Sequence, residues 1–265
     1  MGEIRMTRDL FLWSLSVIYL FAFASLYVQI PGLYGDNGIL PAKLVLKKGS
    51  AESAFDLEDL VSNQPTLLRL LPSLGLDTQS SMDFLCLGGV ILSFVAMVSR
   101  NQRNSIVFGV LWMMYFSLFQ VGQTFLWFQW DILLLETGFL AILVAPLNLF
   151  GWRSVWYHQH DHITFWLVKW LLFRLMFASG IVKLTSNCPT WWGLTALNYH
   201  YETQCIPTPL AWIAHQFPEW FQKLCVVSVY VIQIPVPFLY FSPVRSQRIF
   251  AFYCQHEITI RNESM

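Results

Sequence analysis

The stretch Phe165–Gln204, FWLVKWLLFRLMFASGIVKLTSNCPTWWGLTALNYHYETQ, holds most of the side chains that could do chemistry. Its first half is apolar enough to cross a bilayer, yet it carries Lys169, Arg174 and Lys183. A charge in hydrocarbon is costly, so each needs a partner, a water path or a task. The second half is an aromatic loop with no Lys or Arg after Lys183. Lys183 follows Ala178-Ser179-Gly180, a small-residue patch that permits close helix approach. A Lys among apolar walls can serve as a base. In that case His200 and Glu202, in the run Asn198-Tyr199-His200-Tyr201-Glu202, would handle protons, so Lys183, His200 and Glu202 are the catalytic candidates. The alternative is structural: Lys183 pairs with Asp131 or reaches the luminal interface.

Glu136 and Arg174 each fall about 11 residues from the cytosolic end of an expected span, which is about 16 Å deep at 1.5 Å per residue. They are expected to pair, with Gln120, Gln123 or Gln129 completing the hydrogen bonds. Such a pair fixes helix packing as readily as it serves catalysis. Lys169 lies near a span end and is expected to snorkel. Cys188 and Cys205 bracket the aromatic loop, and in an oxidising compartment a bridge would stiffen it; two free thiols are the alternative. His158-x-His160-x-His162 faces one side only in an extended chain and has no Cys nearby, and His200 lacks zincin spacing. No metal site and no cofactor are read from the sequence.

The elements that would position these residues are membrane spans. The chain has 265 residues, of which 55% are apolar and 12% charged. Its mean hydropathy is +0.50. Soluble domains carry about 25% charged residues. Net charge is zero and no basic stripe exists, which argues against a nucleic-acid partner. Five scattered cysteines do not make a disulfide scaffold. The fold class is therefore all-α, a polytopic transmembrane helix bundle of about six spans in contact with membrane lipid. The runs are Asp9–Ile30, Met82–Ser99, Ser105–Phe125, Trp127–Leu147, Ile163–Leu184 and Trp220–Phe241. The run Ser105–Leu147 is too long for one crossing and is split near Gln123–Phe128. The N-terminus resembles a signal peptide, with Ala22-Phe23-Ala24 as a small-x-small site, but its apolar run continues past that site as a first span. With the N-terminus cytosolic, Arg5, Arg8, Arg100, Arg103, Arg153, Arg245 and Arg248 all lie on the cytosolic side. Within Pro31–Ser81, the glycines and prolines of PGLYGDNGILPAK mark turns, and Ala51–Leu60 reads as a short interfacial helix. Ile234-Pro235-Val236-Pro237 should kink or unwind the last span. Aromatics such as Trp127-Phe128-Gln129-Trp130 and Trp191-Trp192 fit a headgroup belt, with a ligand cage as the alternative. The division is a membrane domain over 1–255 and a polar tail over 256–265.

Four blocks then carry a resemblance: FAFASLYVQIPGLYGDNGILPA, QVGQTFLWFQWDILLLETGFLAILVAPL, WLVKWLLFRLMFASGIVKLTS and NYHYETQCIPTP. Together they resemble the lipase maturation factor family, closest to its second branch, from Leu10 to about Gln255. The resemblance implies a multi-pass endoplasmic reticulum membrane protein involved in maturation of secretory proteins. The better-known member helps secreted lipases reach an active homodimeric state. Family members continue into a large luminal C-terminal domain implicated in client binding. Here HEITIRNESM stands in its place, as in a truncated or alternatively spliced product. FASGIVKL is also faintly similar to the membrane segment of the vitamin K-dependent gamma-carboxylase, where the position matching Lys183 is a catalytic base. Shared fold does not carry function. The reading is therefore a non-catalytic maturation factor, with secretory proteins such as lipases meeting Trp191, Trp192, Tyr199 and Tyr201. A carboxylase-like enzyme with Lys183 as base is the alternative. A transporter ranks third, since it predicts an internal repeat and none is visible.

Overall fold

The structure, a computed structural model, describes residues 2–48, 66–69, 77–147, 161–203 and 208–264. Among them every regular element is helical. In chain order these are α1 Gly2–Leu33, α2 Ala42–Lys48, α3 Thr78–Val98, α4 Ser105–Val121, α5 Gln123–Leu126, α6 Gln129–Val144, α7 Asp161–Thr185, α8 Pro189–Trp192, α9 Ala196–Thr203, α10 Pro209–His215, α11 Glu219–Gln233 and α12 Arg245–Ser264. A 3-10 segment, Val236–Phe241, follows α11. Four stretches are long and apolar enough to cross a membrane: Met6–Leu33, Thr78–Val98, Asp161–Thr185 and Glu219–Phe241. α4 and α6, with 17 and 16 residues, are shorter. Each rises only about 25 Å against a hydrocarbon core of about 30 Å. Large apolar side chains stand exposed along the spans, such as Phe21 and Val28 on α1 and Phe84, Ile91 and Val98 on α3. That pattern suits lipid as solvent. The fold is an all-α membrane helix bundle.

The chain divides into two compact units, Met1–Phe165 and Trp166–Met265, with the boundary inside α7. In the first unit α1 packs on α3 and α4 on α6. Tyr19 and Phe23 of α1 meet Tyr115 of α4 edge-on, with ring centroids 6.1 and 5.5 Å away. Gly89 of α3 is forced to be small: a Cβ there would sit 2.6 Å from the Phe23 ring. The expected split falls where it should. α4 stops at Val121, and Gln123 takes a left-handed backbone, φ 47°. Tyr34 Oη donates to the Gly122 carbonyl at 2.8 Å and fixes that corner.

Two details differ from the expectation. α1 runs through Pro31 to Leu33, and the turn closes only when the Tyr34 and Gly35 amides both donate to the Ile30 carbonyl. Pro31 is tolerated because it falls in the final turn, where one missing N–H breaks little of the ladder. The second is that helix α12 runs from Arg245 to Ser264, through the segment read as a polar tail. The expected helix at Ala51–Leu60 lies outside the described residues.

In the second unit the last span breaks at its prolines. α11 ends at Gln233, and the chain resumes as the 3-10 segment. Pro235 and Pro237 each remove a backbone donor. Gln255 of α12 supplies one in return, donating its Nε2 to the Ile232 carbonyl. Phe173 and Phe177 of α7 stack at 5.4 Å, and Phe238 meets both edge-on at 5.1 and 5.4 Å. Val236, Tyr240 and Ala251 complete this core.

Candidate functional site

Lys183 sits half-buried in the last turn of α7. Its Nζ donates to the Ser179 carbonyl at 2.7 Å and to Gln233 Oε1 at 2.9 Å. The ammonium also lies 5.3 Å from the centroid of the Trp191 ring. Gln233 is the last residue of α11 before the break. Gly180 makes the approach possible, because a Cβ there would stand 2.7 Å from Ile234 Cγ1 and 3.0 Å from Gln233 Cβ. The small-residue patch thus does what its sequence implies. Trp191, on α8, is held in turn by Tyr230, whose Oη donates to the Trp191 carbonyl at 3.3 Å while the rings meet edge-on at 6.0 Å. Two oxygen acceptors and a π face are partners for a cation. The contacts tie the last turn of α7 to the end of α11 at the break.

Cys188 precedes α8, and its Sγ lies 3.1 Å from Thr190 Oγ1. That hydrogen bond, followed by the amides of Thr190 and Trp191, holds the thiol below its ordinary range. The expected bridge requires Cys205, which lies outside the described residues. His200 and Glu202 are exposed on α9. Glu202 Oε1 stands 3.5 Å from His215 Nε2 on α10. Neither His200 nor Glu202 is among the hydrogen-bond partners of Lys183. Of the four surface aromatics expected, Trp192 and Tyr199 are exposed and Trp191 is half-buried. Tyr201 is buried, with its ring edge-on to His215 at 6.0 Å, so it offers no contact surface. The apolar walls that bury it push its phenol upward.

Asp131, in the first turn of α6, accepts from Tyr115 Oη at 2.6 Å. A carboxylate there also suits the positive end of the helix. Asp131 belongs to the first unit and Lys183 to the second, as do Glu136 and Arg174 respectively. Glu136 is half-buried and Arg174 exposed. His158 and His160 lie outside the described residues; among those described, no group of three His, Cys, Asp or Glu could hold a metal ion.

The strongest ionic cluster is one that sequence reasoning used only for topology. Arg8 pairs with Asp161, and both are buried. Asp9 pairs with Arg100 at 3.2 Å and Arg103 at 2.9 Å. Arg103 also donates to the carbonyls of Ala96 and Met97 at 2.9 and 2.8 Å, closing the end of α3. The signal was present: Asp9 and Asp161 stand on the same expected membrane face as these arginines. Gln233 was legible too, as an amide in an apolar run just before Pro-Val-Pro.

Apolar helices, exposed aliphatic faces and intramembrane polar braces define a multi-helix membrane protein. Within that class the chain belongs to the lipase maturation factor family: residues 6–261 match the lipase maturation factor transmembrane domain. It is 62% identical over 256 residues to lipase maturation factor 2 of Gallus gallus and 51% identical over 265 residues to that of Homo sapiens, covering 96% of this chain in both cases. It is 34% identical over 246 residues to lipase maturation factor 1 of Homo sapiens, across 91% of this chain. It spans 35%, 36% and 42% of those three proteins. The family match runs past Gln255 into the segment expected as a separate tail. No solved structure matches.

Proposed function

We propose that this chain is the membrane domain of an endoplasmic reticulum maturation factor for secretory proteins, lipases among them, with its N-terminus cytosolic. The observation that carries this is the match of residues 6–261 to the membrane domain of a family named for lipase maturation. The excess of Arg on one expected face supports the orientation. Exposed Trp192 and Tyr199 are the client-facing aromatics on the luminal side. Lys183 acts as a brace, which its cation-accepting partners support, and the maturation activity needs no base there.

The test is complementation in cells lacking the family. This chain is expressed beside a full-length relative, and secreted active lipase is measured together with membrane insertion. The expected result is active lipase above the empty-vector level, reduced when Trp192 and Tyr199 are both replaced by Ser. Normal insertion with no gain in active lipase overturns the proposal.

A further inference from the structure

α10 is built inside out for a loop in water. Its inward face carries buried Ala211 with Ala214 and His215, and its outward face carries Leu210, Trp212 and Ile213, all exposed. Trp212 is 69% exposed. A water-facing helix would put its bulk inward and its polar groups outward. The inward face is well anchored. The Gln222 amide of α11 donates to the Ala214 carbonyl, His215 pairs with Glu202, and Tyr201 packs on the His215 ring. Thr208 caps the start, accepting from the Ala211 amide at 3.2 Å. The outward set is therefore fixed in place rather than a frayed segment that failed to fold.

Three further observations identify what covers it. From Thr203 to Pro218 the chain has no Asp, Glu, Lys or Arg. Phe217 and Trp220 continue the apolar set, exposed and gathered around Phe221 at 4.9 and 5.8 Å. Trp220 then opens an exposed stripe down α11, with Leu224, Val227 and Val231 at helical spacing. That stripe lies on Glu219–Phe241, a stretch long and apolar enough to cross a membrane. Phe217 and Trp220 lead in sequence from the outward residues of α10 to the start of that stripe.

We infer that α10 is an interfacial anchor, lying in the luminal headgroup layer with Leu210, Trp212, Ile213 and Phe217 in the acyl boundary of the bilayer. Trp, Phe and Leu are the residues that interfacial helices bury at this depth. The occupant of this face is phospholipid, not a client protein. Client contact is then left to Trp192 and Tyr199. The inference needs only that the chain is inserted in a bilayer, so it stands or falls apart from the maturation activity.

The experiment reads Trp212 by difference. Wild-type protein and its Trp212→Phe variant are reconstituted in phosphatidylcholine vesicles, with and without bromine on the acyl chain near the headgroup. The emission lost on substitution is the signal of Trp212. It should be blue-shifted, fall by about half with brominated lipid and resist aqueous iodide. Trp220→Phe, on the same stripe, should read alike and serves if the first variant does not reconstitute. A Trp212 signal quenched by iodide and indifferent to bromine overturns the inference and makes the face a water-side docking surface. A signal reached by neither quencher overturns it as well, because a protein partner then covers the face.

Discussion

In Met1–Phe165 the charged side chains near one membrane face find charged partners: Arg8 with Asp161, and Asp9 with Arg100 and Arg103. In Trp166–Met265 the partners of Lys183, the charge nearest the break, are uncharged among the described residues of that unit. Lys183 rests on a carbonyl, an amide oxygen and an aromatic ring. The difference follows from what each must hold. The first unit ties helix ends together where carboxylates and arginines are both at hand. The second must satisfy a helix opened by two prolines, and there an amide on the broken strand of backbone is the partner within reach. Removing one member of a buried ion pair strands a charge, whereas removing an acceptor from Lys183 costs one hydrogen bond of several. The two units should therefore fail by different amounts.

The largest effect is expected at the buried pair. Asp161→Asn leaves Arg8 short of its charge partner and should cost about 3–5 kcal/mol. Thermal unfolding in detergent reads it, and Arg8→Met combined with Asp161→Leu should recover most of the loss. Next comes the packing of the first unit. A Cβ on Gly138 would overlap the Tyr19 hydroxyl, so Gly138→Ala should cost about 1–3 kcal/mol. That hydroxyl is buried with no hydrogen-bond partner. Tyr19→Phe should thus be harmless alone and rescue Gly138→Ala, a sign pattern that a double-mutant cycle displays directly. In the second unit, Gln233→Leu should cost about 1–2 kcal/mol by taking one acceptor from Lys183. The loss should shrink when Lys183 is already Met, since the two act on one contact. The smallest change is a cap. Asn104→Ala removes the acceptor for the Val107 amide at 2.9 Å and should cost about 1 kcal/mol by the same melting assay. Equal losses at Asp161 and Gln233 would erase the contrast between the units.

The helices were legible because their signals are local. An apolar run of bilayer length, a split forced by the length of Ser105–Leu147, and a break at Pro235 and Pro237 need no knowledge of neighbours. The partners were not local. Lys183 was read as a residue in need of company, but Gln233 lies 50 positions away. The close approach at Gly180 is what brings it within reach. Tyr201 misled for the opposite reason. It sits in a polar, aromatic loop that reads as surface, yet His215 and the neighbouring helices bury it. α10 shows the same limit in reverse: composition reads as an aromatic belt, while the inverted face emerges only once Ala211 is seen to point inward.

The proposed role of Lys183 in this membrane domain is that of a brace rather than a base. The direct measurement is lipase maturation by Lys183→Arg, expressed as secreted active lipase per amount of inserted protein in cells lacking the family. Arginine can still donate to a carbonyl and an amide oxygen and lie over Trp191, so the ratio should stay at the wild-type level. Full insertion and wild-type thermal stability with the ratio at background would contradict the brace, because the helix contacts would then be intact while the activity is lost.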